Sequence, residues 1–129
     1  MRNLFTLLLA AVALQGAVAP RYTLEELTSR SEIIVHGRIG ASRAAWDAQH
    51  KYIWTHYDVS VIENLRGARV AAITVSEPGG SLDGVNQLFS GATAYAPGEE
   101  VVLYLYRTPI GYLRTVGGPQ GKVRVREAR

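Results

Sequence analysis

The stretch "KYIWTHYDVSVIENLRG", Lys51 to Gly67, decides the fold. Tyr57, Val59 and Val61 alternate with Asp58 and Ser60, the period of two that places side chains on opposite faces of a β-strand. The first half of the run carries Tyr52, Trp54 and His56 on the other parity. If Tyr57, Val59 and Val61 face a core, the strand has a second face bearing two large aromatics and a histidine. Either another element covers that face or it is a recognition surface.

The neighbouring runs share the period. In "EIIVHGRIGA", Ile33, Val35, Gly37, Ile39 and Ala41 fall on one face, His36 and Arg38 on the other. A glycine inside a strand marks a bend or a close backbone approach. Asp47-Ala48-Gln49-His50 is polar turn material, and so short a link makes an antiparallel hairpin the simplest pairing. After the "NLRG" turn, "VAAITVS" reads as a third strand with Ala71, Ile73 and Val75 together. "VVLYLYR" has no polar alternation, which predicts a strand buried on both sides or paired centrally. "YLRTVG" is a short strand. In "KVRVR", Val123 and Val125 alternate with Lys122, Arg124 and Arg126, predicting a half-buried edge or closing strand with the valines inward.

Two segments break the pattern. "YTLEELTSRSE" reads as a short helix: Thr23 and Glu26 have capping-box spacing, and Leu24 and Leu27 form an apolar stripe that needs a surface to bury against. "EPGGSLDGVNQLFSGATAYAPGEE" is rich in turn formers and reads as a long connection with little regular structure. Connections this long in a compact domain are often functional. One short helix and five or six strands predict an all-β, mainly antiparallel small barrel or sandwich.

The 129-residue chain favours one domain behind a leader. "MRNLFTLLLAAVALQGAVA" has a basic start, an apolar run from Leu4 to Leu14 and small residues through Ala17-Val18-Ala19, the layout of a secretory signal peptide. The run falls short of the roughly 20 apolar residues of a membrane span. The expected organisation is a signal peptide over 1–19, or a cut after Ala17, and one β-barrel domain over 20–129, exported to the periplasm or beyond with no membrane span. The net charge of +3 is mild and its basic residues are dispersed, so no nucleic-acid partner is expected. With no cysteine, thiol catalysis, thiolate metal sites and disulfides are excluded.

"LTSRSEIIVHGRI", "YDVSVIENLRG", "ITVSEPGG", "APGEEVVLYLYR" and "GYLRTVGGPQGKV" together resemble a domain of exported bacterial proteins that sometimes stands upstream of a matrixin-type zinc protease. More distantly, the chain is similar to the OB-like barrels of the netrin and tissue-metalloprotease-inhibitor class. The resemblance covers nearly all of the chain after the leader. It implies an OB-like barrel and, as one partner, an exported metalloprotease. The chain lacks the N-terminal cysteine with which the eukaryotic inhibitors engage zinc, and it lacks HExxH, so neither inhibition nor proteolysis carries over by residue.

The residues suggest no catalytic constellation. His36, His50 and His56 have no carboxylate pattern that completes a metal site, and the plain reading of His36 and His56 is a solvated outer face. Ser76, Ser81 and Ser90 have no G-x-S-x-G context. Glu77, Asp83, Glu99 and Glu100 could supply paired carboxylates, but Glu99-Glu100 reads as a solvated strand start. No enzyme activity, cofactor or metal is expected. Trp46, Tyr52, Trp54 and His56, with the Glu77-Pro78-Gly79-Gly80 turn, form the candidate partner-binding surface. The alternative is that the helix or the long connection covers the aromatic row as a second small core. The expected function is a non-catalytic interaction domain for an exported or envelope protein. A metalloprotease inhibitor or pro-domain-like partner and a carbohydrate-binding module are the alternatives.

Overall fold

A computed structural model describes residues 20–67 and 69–125. The expected leader and Arg126 lie outside the described residues. The elements are α1 (Leu24–Ser29), β1 (Ile33–Trp46), β2 (Ile53–Arg66), β3 (Ala72–Pro78), β4 (Gly80–Leu82), β5 (Val85–Gln87), β6 (Glu100–Arg107), β7 (Leu113–Thr115), a 3-10 turn (Gly118–Gly121) and β8 (Lys122–Arg124). The main sheet runs β1-β2-β3-β7-β6, and β6 pairs back with β1, closing five strands into a barrel. β8 joins the same sheet alongside β6. Its described pairings are antiparallel apart from β3 with β7. The fold is thus a small all-β barrel, compatible with an OB-like fold, carrying one short helix. No helix among the described residues is long and apolar enough to cross a membrane.

The alternating residues fill the barrel. Val35 and Ile39 of β1, Val59 of β2, Val75 of β3 and Val101, Leu103 and Leu105 of β6 form its core. On the other face of β6, Tyr104 packs with Leu27 of α1, Ile34 and Val116 in a second cluster. Burial on two faces explains why the β6 sequence lacks polar alternation. Gly37 also does what its position suggests: a Cβ there would lie 2.8 Å from the Ser60 carbonyl oxygen and 2.8 Å from Val59 Cγ1. The β1–β2 ladder slips beside it, between His36 and Gly37, and again between Ile39 and Ser42. These irregularities bend β1, so that one strand serves both β2 and β6.

Four expectations need correction. The helix has its capping box, but Leu24 is 63% exposed and only Leu27 is buried. Six residues present too narrow a face to bury both. Ala41 is exposed, because the slip before Ser42 shifts it out of the inward series. The long connection begins with regular structure: β3 runs through Pro78, and β4 and β5 form a hairpin. Its turn is Asp83-Gly84, with φ of 52° and 77°, the positive values that such tight hairpin turns demand. Finally, β8 is an edge strand, but its faces are reversed. Val123 and Val125 are exposed, while Lys122 turns inward, with Nζ 2.9 Å from Glu99 Oε1 and 2.9 Å from the Ala94 carbonyl oxygen. An inward charge on an edge strand hinders further strand addition.

Candidate functional site

The candidate surface divides into three settings. At the tip of the β1–β2 hairpin, Asp47 Oδ1 accepts the N–H groups of Lys51 (2.7 Å) and Tyr52 (3.2 Å), which fixes the turn. The Lys51 N–H, foremost, holds the Asp47 carboxyl below its ordinary value. Trp46 stacks on His50 with ring centres 4.1 Å apart, and its indole N–H donates to Asp83 Oδ2 at 2.9 Å. The β4–β5 turn is thereby fastened to the hairpin tip. The Gln87 side chain completes the junction: Oε1 accepts the Ile53 N–H (2.7 Å) and Nε2 donates to the Lys51 carbonyl (3.1 Å).

Around this junction lies an exposed apolar rim. Tyr52 is 42% exposed and meets Phe89 edge to face, with centres 5.8 Å apart. Leu88, beside it, is 88% exposed, and Val85 is exposed as well. A groove of about 220 Å³ runs from the rim between β2–β3 and the segment after β5, with Thr55, Tyr57, Gly79 and Thr93 among its walls. Neither Leu88 nor Phe89 was singled out from the sequence. The available signal was a pair of large apolar residues inside a Gly/Ser-rich connection.

Trp54 and His56 belong to the second setting. α1 does not cover them; it packs over β6. Tyr112, in the link from β6 to β7, roofs both rings, its centre 5.0 Å from Trp54 and 5.1 Å from His56. His56 is consequently 8% exposed, not the solvated surface residue expected. Its register partners are Arg43 on β1 and Ser76 on β3, and its Nδ1 lies 2.6 Å from Ser76 Oγ. Burial, with a smaller contribution from Arg43, holds the imidazole below its ordinary pKa. Ser76 is itself 1% exposed on a regular strand, so this contact reads as a cross-strand hydrogen bond rather than an exposed nucleophile and its base.

The third setting is the "EPGG" turn. Glu77 is 2% exposed and faces inward. It accepts the N–H groups of Thr93 (3.1 Å) and Thr115 (2.9 Å) and pairs with Arg114 (3.2 Å), so its carboxylate is not presented to a partner. Gly79 is buried, and Pro78 and Gly80 are half-buried at the groove wall. Glu99 and Glu100 are half-buried too: Glu99 pairs with Lys122 and Arg124, and Glu100 with His36 and Arg38. His36, His50 and His56 thus sit in separate places, and among the described residues no three His, Cys, Asp or Glu groups converge to hold a metal.

Comparison with protein-family models, curated proteins and solved structures found no significant match.

Proposed function

We propose that this chain is an exported, non-catalytic domain that binds another protein through the hairpin end of its barrel. The observation that carries the reading is the rim of Tyr52, Leu88 and Phe89, large side chains left in water, with Tyr52 against Phe89 and both Leu88 and Phe89 lining a groove. Leaving Leu88 almost fully hydrated forgoes about 1.5–3 kcal/mol that burial against a partner would recover. Aromatic side chains also lose little rotamer freedom on contact and concentrate at binding hot spots. Export rests on the leader-like residues 1–19. The sequence resemblance supplies one class of partner, an exported metalloprotease. The test is affinity capture from envelope and secreted extracts with the purified protein and with a Tyr52→Ala/Leu88→Ser variant of equal thermal stability. A protein retained by the first and lost by the second supports the reading, and a metalloprotease would name the class. Identical captures by both would refute it.

A further inference from the structure

A second cleft, of about 470 Å³, lies between the β2–β3 face and the β6–β7 link. Its composition is divided. The ring of Tyr112 and the outer edge of the half-buried Ile73 give it an apolar side, Leu113 lines it while packing into the barrel core, and Arg43 and Arg107 bring two cations to it. His56 also lines it. The imidazole spends Nδ1 on Ser76, and its Nε2 has no hydrogen-bond partner among the described residues. The free nitrogen is not among the buried unpaired atoms, so it meets the cleft at an edge that solvent, or a ligand, can reach.

The arginines are only partly committed. Arg43 meets Asp58 at 3.5 Å with both side chains mostly exposed, a pair that water screens and a ligand can displace. Arg107 uses Nε on Glu32 (3.1 Å) and Nη1 on the Gly111 carbonyl (3.1 Å), which orients the guanidinium and leaves Nη2 uncommitted among the described residues. We propose that this cleft binds a carboxylate carried on an apolar body, such as the free C-terminal residue of a peptide. The carboxylate is taken by Arg43, Arg107 and the His56 Nε2 edge, and the body lies against the ring of Tyr112 and the outer edge of Ile73. A planar guanidinium matches a carboxylate, whereas a small inorganic anion would leave the apolar side unused.

The experiment is a titration of the purified protein followed by NMR of the His56 and Tyr112 ring signals. The probes are N-acetylphenylalanine, its uncharged amide, acetate and inorganic phosphate. The expected result is a saturable shift with N-acetylphenylalanine, none with the amide, and weaker binding of acetate and phosphate. Arg43→Gln, a change at an exposed side chain, should weaken N-acetylphenylalanine about tenfold, the loss of one charge-assisted contact. Leu88→Ser should leave that affinity unchanged. Equal binding of the amide, equal binding of acetate or phosphate, an unaltered affinity in Arg43→Gln, or no saturable shift would each overturn the proposal.

Discussion

The carboxylate of Glu77 on β3 accepts the backbone N–H of Thr115 on β7 at 2.9 Å. These two strands form the parallel seam of the barrel, and their ladder is a single register pair, Val75 with Leu113. A side chain therefore carries much of the bonding that a longer ladder would supply. The same carboxylate also accepts from Thr93 N–H and pairs with Arg114. Glu77→Ala would leave two backbone donors and a guanidinium without their acceptor in a nearly dry site. Removing one member of a buried charged pair costs about 3–5 kcal/mol. Glu77→Gln keeps one acceptor oxygen and should lose less, about 1–3 kcal/mol. Urea denaturation should order the midpoints wild type, Gln, Ala; three equal midpoints would show that the seam holds without this residue.

Gly37 is the other backbone position on which the barrel turns. A methyl group there meets a backbone carbonyl and a core valine at 2.8 Å, and neither is the free end of a flexible chain. Gly37→Ala should destabilise by about 1–3 kcal/mol, the usual cost of overpacking. The nearby Gly40 has only ordinary contacts, the nearest at 3.5 Å from Asp58 O. Gly40→Ala should therefore be much milder, and thermal melts of the two variants decide the point.

The periodic parts of the chain were legible because each residue's face follows from its own strand. Val59 and Val75 point into the barrel, as their alternation says, and the uninterrupted run of β6 is buried on both faces. What could not be read depends on partners distant in sequence. His56 is covered because Tyr112 arrives from another link, and Lys122 turns inward because Glu99 is there to meet it. The β4–β5 hairpin is a different case. Asp83-Gly84 is a strong hairpin signal, but the three-residue strands beside it are too short to show a period. Of the candidate surface, Tyr52 was found in the open, while Leu88 and Phe89 lay in a segment with no pattern to place them.

Leu88→Ser separates stability from recognition. The side chain is 88% exposed, so its loss should change folding stability by no more than about 0.5 kcal/mol. It should also raise solubility, since it breaks up an exposed apolar rim. A clear drop in the urea midpoint would mean that Leu88 packs in solution, and the rim would then be part of the core.

Acid should unfold the protein in two stages. Burial, assisted by Arg43, holds His56 below its ordinary pKa in the folded chain, so folding favours the neutral ring. The sign follows from linkage: the unfolded state binds the proton more readily, so stability is complete above about pH 6.5 and declines as pH falls toward the folded-state value. The carboxylates come later. Burial alone would raise the pKa of Glu99, but the Ala96 N–H, Lys122 and Arg124 outweigh it and hold it low. Its contribution is therefore present above about pH 4.5 and is lost as pH falls through the lowered value. Urea midpoints measured from pH 8 to pH 3 should show the first decline set in as pH falls through about 6.5, ahead of the carboxylate step. His56→Gln, which can still bond Ser76, should remove that decline and leave the lower one. Lys122→Met should do the reverse, weakening the lower step by taking the charge from Glu99. A His56→Gln profile that overlays the wild type from pH 8 down to the carboxylate step would show that His56 does not govern the first stage.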